Sequence, residues 1–131
     1  PTDAVHHLSS LLKAYPEAVK VGLGLRIDDL PEHNPMRSQI CDWERQFWLN
    51  EIEPGVFGAD VDTTFALYRP YDGRQQHSPC LRTGIPYCAR HLPWYKDPSD
   101  LTEEDIHYRS RASKAITNWD RDQKVIWKHL V

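Results

Sequence analysis

Residues 19–27 constrain the fold more than any other stretch of the chain. Val19, Val21, Leu23, Leu25 and Ile27 alternate with Lys20, Gly22, Gly24 and Arg26. That is the period-two pattern of a strand with one apolar face. Gly22 and Gly24 fall on the other face, where a missing side chain lets another backbone or a ligand come close. They do not form a dinucleotide fingerprint: G-L-G-L-R-I lacks the third glycine and lies inside the strand instead of after it. The strand runs into Asp28, Asp29, Leu30 and Pro31.

The surrounding pattern supplies helices and a second strand. Val5, Leu8, Leu11, Leu12 and Tyr15 recur at helical spacing and predict a helix over 4–15, capped by Thr2 or Asp3 and stopped by Pro16. Asn34 as N-cap and Pro35 at the first helical position open a second helix, with Met36, Ile40, Trp43 and Phe47 as its apolar stripe. Pro54-Gly55 closes that region. Residues 61–68 have the β-branched and aromatic content of a strand, with Asp62, Thr64, Ala66 and Tyr68 on one face. The polar segment 69–79 reads as a loop, and 85–95 as irregular and rich in aromatics. Thr102 caps a third helix; Asp105 is too short for an ideal capping box but suits the helix dipole. The end, with Trp119, Ile126, Trp127 and Leu130, is expected to be helical. Helix, strand, helix, strand, loop and helix in this order predict a mixed α/β domain spanning 1–131.

Composition excludes several classes. With 131 residues, 27% charged and 40% hydrophobic, the chain is an ordinary globular domain in size and make-up. No run approaches the roughly 18 apolar residues of a membrane span, so no transmembrane segment is expected. A net charge of −3 with dispersed Lys and Arg argues against nucleic acid as a partner. Cys41, Cys80 and Cys88 are odd in number and lack C-x-x-C spacing, which fits a reducing, cytoplasmic setting better than a disulfide framework. Residue 1 is Pro and the only Met is Met36, so a processed, trimmed or partial chain is expected.

Four groups of residues have the chemistry for a site. Asp28 and Asp29 follow the long strand, where open α/β sheets bind ligands; they read either as turn formers or as groups for a divalent cation or sugar hydroxyls. Glu44 lies about 80° from Met36 on a helical wheel, at the rim of the apolar stripe. There it reads as a half-buried general base with a raised pKa, or as a surface partner of Arg37 or Arg45. Asp62 binds a ligand or pairs with Arg26 across the sheet. Arg90 suits an anion, His91 a metal, and Trp94 and Tyr95 either a sugar face or the core. His6 and His7, about 100° apart on a helix, do not share a face as metal ligands would.

Together these strings carry a resemblance. Residues 21–31 (VGLGLRIDDLP), 43–48 (WERQFW), 62–70 (DTTFALYRP) and 89–95 (ARHLPWY) occur in that order. They resemble the C-terminal half of a group of bacterial family-2-like glycosyltransferases with a GT-A-type fold, over roughly residues 5–119. The resemblance implies a partial GT-A-like mixed sheet with flanking helices. It implies transfer of a sugar from a nucleotide-sugar donor to a glycan acceptor hydroxyl, with Mn²⁺ or Mg²⁺. By chain order it assigns Glu44 as the catalytic carboxylate with Asp62 as the alternative, His91 as a late metal ligand, and Asp28, Asp29, Arg90 and Trp94 to substrate. The D-x-D strand and the nucleotide-binding units have no counterpart in this chain, so self-association and inactivity on its own are expected. Two rivals stand beside it. One is a carbohydrate-binding module stacking sugars on Trp43, Trp48, Trp94 and Trp119; the other is a metal-dependent hydrolase built on Asp28, Asp29, Asp62 and His91.

Overall fold

The computed structural model describes residues 1–61, 65–70, 79–97 and 99–111. It is an α/β fold with a five-stranded mixed sheet and flanking helices. The elements are α1 (Ala4–Ala14), β1 (Lys20–Leu25), α2 (Arg37–Glu44), β2 (Glu51–Glu53), β3 (Val56–Gly58), β4 (Ala66–Tyr68), β5 (Cys80–Ala89) and α3 (Glu103–Arg111). A 3-10 helix, Arg45–Trp48, continues α2, and another, Leu92–Trp94, follows β5. The strands lie in the order β2-β3-β5-β1-β4. Only β1 and β5 run parallel; the other neighbours are antiparallel.

The alternation of 19–27 sorts the two faces of the sheet. Val21 pairs with Leu81, and Thr83 with Val56, on the face that receives α1. Leu8, Leu11 and Leu12, spaced as one helical stripe, close over Val21, Val56 and Leu81 there. Gly22 pairs with Arg82, and Phe57 with Arg82 from the other side, on the face that receives α2 and its 3-10 continuation. On that face the Arg82 guanidinium lies 3.8 Å above the Phe47 ring, and Trp48 meets Phe57 edge-on at 5.0 Å. A Cβ on Gly24 would stand 2.5 Å from the Thr83 carbonyl oxygen and 3.0 Å from the Trp48 ring. The close approach expected at the glycine face is therefore made by the neighbouring strand and an indole.

A second apolar cluster sits at the carboxyl end of the parallel pair. Leu25, Leu30, Met36, Ile40 and Trp94 are buried together, with Ile27, Cys41, Ala89 and Tyr95 around them. It fastens the loop after β1 to the turn after β5. Asn34 reinforces this by donating from Nδ2 to the Trp94 carbonyl at 2.8 Å.

Several local expectations are corrected. Asn34 is not the helix cap: its Oδ1 accepts the Met36 N–H, a turn that leads into α2, whose N-cap is Met36. Asp3 stands at the N-cap of α1 without a side-chain bond to that helix, and accepts the Tyr87 hydroxyl instead. Pro54-Gly55 is the tip of a hairpin between β2 and β3, with Gly55 at φ +76° as such a turn requires. Residues 85–89, expected to be irregular, belong to β5, the strand between β3 and β1. Thr102 and Asp105 do form a reciprocal box: the Asp105 N–H donates to Thr102 Oγ1 and the Thr102 N–H to Asp105 Oδ2. Asp62, most of the loop 69–79, and the tail with Trp119 lie outside the described residues.

Candidate functional site

The parallel pair brings two distant segments to one end of the sheet. Leu25 pairs with Ala89, and the Arg26 N–H donates to the Ala89 carbonyl at 2.9 Å. The chain then leaves β1 through Arg26, Asp28 and Asp29 and leaves β5 through Arg90 and His91. This is the carboxyl end of the parallel pair, the end of the strands at which open α/β sheets place ligands.

There the side chains form one connected polar cluster. Arg26 grips Asp28 with two bonds, Nε to Oδ1 at 3.0 Å and Nη2 to Oδ2 at 2.7 Å. Arg90 donates from Nε and Nη2 to Asp29 Oδ2 at 2.8 and 2.5 Å. The Tyr95 hydroxyl takes Asp29 Oδ1 at 2.7 Å. Arg26 Nε lies 3.5 Å from Asp29 and joins the two halves. Asp29 is thus engaged at both oxygens and 28% exposed, whereas the Asp28 side chain is 56% and that of Arg90 50% exposed.

The electrostatics follow from these partners. The Tyr95 hydroxyl, and then Arg90, hold the Asp29 carboxyl below its ordinary range, and Arg26 does the same for Asp28. Both remain carboxylates near neutral pH, strong acceptors for hydroxyl hydrogens. Tyr95 is raised by burial and by Asp29, so it stays a donor. Burial pushes the nearby Cys88 thiol up to about 11, which removes it as a nucleophile at neutral pH.

Three predicted site residues are placed differently from expectation. Glu44 is only 2% exposed, not half-buried at a rim, and pairs with buried Arg82 at 3.2 Å. Arg82 also donates to the Asp60 carbonyl, so this pair belongs to the interior between sheet and helix. Trp94, 3% exposed, is part of the second apolar cluster and offers no open face to a sugar. His91 leans on Trp94 at 4.7 Å, and burial lowers its pKa. Among the described residues no three His, Cys, Asp or Glu side chains gather to hold a metal ion. Asp28 and Asp29 already face guanidinium groups, so these residues by themselves do not fit Mn²⁺ or Mg²⁺.

Arg26 and the Tyr95 hydroxyl are the members of the cluster that sequence reasoning did not single out, although the core reading of the Tyr95 ring holds. Arg26 pairs with Asp28, and the signal was their spacing: two residues apart at a strand end, they point the same way; Asp62, the partner considered for Arg26, lies outside the described residues. Tyr95 was read as a stacking or core ring, and nothing local marks its hydroxyl as the partner of a residue 66 positions earlier. Compared with family models, with curated proteins and with solved structures, the chain matches none.

Proposed function

We propose that these residues form the acceptor side of a glycosyltransferase, which moves a sugar from a nucleotide-sugar donor to an acceptor hydroxyl. One observation carries the reading. The strings around Asp28-Asp29 and Arg90-His91, which hold much of the resemblance, lie 61 residues apart yet meet through the Asp29–Arg90 bonds. In this reading Asp28, the more exposed carboxylate, accepts a hydrogen bond from the acceptor hydroxyl and takes its proton as the hydroxyl oxygen attacks the anomeric carbon and the bond from that carbon to the phosphate oxygen of the donor breaks, the nucleotide leaving with the electron pair. Arg90 donates to a neighbouring oxygen of the acceptor. Glu44 stays with Arg82 and keeps the floor of the sheet in place. No step is routed through a metal. GT-A architecture and a cytoplasmic setting are parts of the proposal; no disulfide joins the three cysteines, which suits the latter. A stacking module has less support, because Trp94 is buried and Trp48 packs on Phe57.

Calorimetric titration with UDP and GDP sugars and with free oligosaccharides tests the proposal. Heat from an oligosaccharide that disappears in Arg90→Ala is expected. A nucleotide sugar that binds tightly and loses that binding in Arg90→Ala would overturn the acceptor-side assignment.

A further inference from the structure

We propose that the cluster at the ends of β1 and β5 is a subsite for a neutral vicinal diol, contacted by Asp28 and Arg90 and kept in shape by Asp29 and Tyr95. The inference rests on the acceptor-side reading and adds the ligand class to it.

Charge is the first argument. The cluster holds two guanidinium groups and two carboxylates, joined in one network. A phosphate approaching Arg90 meets the Asp29 carboxylate, and a cation approaching Asp28 meets Arg26. Neither sign of ligand gains a net field, whereas a neutral ligand is not opposed.

Bonding capacity is the second. Asp29 has both oxygens taken and is the less exposed carboxylate, so it acts as frame. Tyr95 holds that frame from the loop side, its hydroxyl also lying 3.2 Å from the Arg26 carbonyl. Asp28 receives one Arg26 nitrogen at each oxygen and its side chain is 56% exposed, so its carboxylate is open to a further donor. Arg90 uses Nε and Nη2 and has no partner for Nη1 among the described residues. The accessible groups are therefore acceptors on Asp28 and donors on Arg90. Arg26 and Asp29 link these two residues, and a ligand with two adjacent hydroxyls, each both donor and acceptor, can use both; a lone hydroxyl uses only half of what they offer.

The test is nitrogen-15 shift mapping of the chain. The probes are methyl glucoside, methyl galactoside and methyl mannoside, each beside the corresponding hexose 6-phosphate. At least one neutral glycoside is expected to shift residues 26–29 and 89–95 saturably, with little change when ionic strength is raised. Asp28→Asn and Arg90→Gln each weaken that binding tenfold or more, while their spectra remain those of the folded chain. Tyr95→Phe, which leaves both contact residues in place, weakens it as well and moves the Asp29 carboxyl titration upward. The proposal is overturned if no neutral glycoside shifts these residues, if the phosphate binds more tightly, or if Asp28→Asn leaves affinity unchanged. Sugar transfer to an anionic acceptor would sink the diol subsite alone and leave the glycosyltransferase reading intact.

Discussion

Glu44 and Arg82 are buried side by side, and each makes the other tolerable. Removing one partner of a buried ion pair typically costs about 3–5 kcal/mol, whereas replacing both with apolar groups of similar size is often neutral. Arg82→Met is expected to lower stability by that amount in urea unfolding, and the double replacement with Glu44→Leu to recover much of it. Gly24 is a second sensitive residue. Its added Cβ would press against a backbone oxygen at 2.5 Å, which no rotamer relieves. Gly24→Ala is expected to destabilise by at least about 1–3 kcal/mol, read from the same unfolding midpoints. The glycine face was legible because alternation alone places it. The burial of Glu44 was not: a helical wheel gives an angle, but the partner that draws the carboxylate inward comes from a strand 38 residues later.

At the scale of elements, β5 shows what hides a strand from its sequence. Between the pairs Leu23–Thr83 and Gly24–Cys88 the chain makes an excursion through Gly84, Ile85, Pro86 and Tyr87. Thr83 Oγ1 donates to the Tyr87 carbonyl at 2.6 Å across its neck. The alternation on either side is too short to read, and Pro86 argues against a strand interior. The helices were more legible because their stripes are continuous, although β2 and β3, three residues each, carried too little pattern to announce their hairpin. The C-terminal end of α1 shows a long-range device that no local pattern shows. Arg69 donates to the carbonyls of Leu12, Tyr15 and Ala18, closing off that end from 50 or more residues away. The start of α3 depends on Thr102 and Asp105. Thr102→Ala is expected to cost the helix about 1 kcal/mol, seen as faster amide exchange within 103–111. Lys96 and Thr102 hold Asp105 down to about 2, so its contribution is present above the ordinary Asp range near 3.8 and is lost as pH falls through about 2. Exchange protection in α3, corrected for the intrinsic pH effect, should fall over that window in the wild type and show no such fall in Asp105→Asn.

For the whole molecule, acid stability should decline in two stages. Partial burial lowers the His91 pKa, so the unfolded chain binds its proton first; its contribution is complete above 6.5 and is lost as pH drops below that value. Asp28 and Asp29, held down by their partners, add stability above 3.8 that disappears at lower pH. Thermal midpoints followed from pH 8 to 3 should show both declines, and His91→Gln should remove the first alone. Among the described residues no helix is long and apolar enough to cross a membrane. The α/β class, with a mixed sheet between helices, was legible from element order. The polar cluster was legible only in part: Asp28, Asp29 and Arg90 were candidates from the start, but their connection exists only once β1 and β5 lie parallel.

The most direct test sets the strand-end cluster against the buried pair. Sugar transfer from a nucleotide sugar to an acceptor glycan would be measured for Asp28→Asn and Glu44→Gln in the form of the protein that transfers sugar, with melting temperatures alongside. The account predicts that Asp28→Asn loses transfer at least tenfold at temperatures where it stays folded, while Glu44→Gln melts lower and keeps its turnover at temperatures where it stays folded. Abolished turnover in a Glu44→Gln protein of normal stability, with Asp28→Asn fully active, would contradict it.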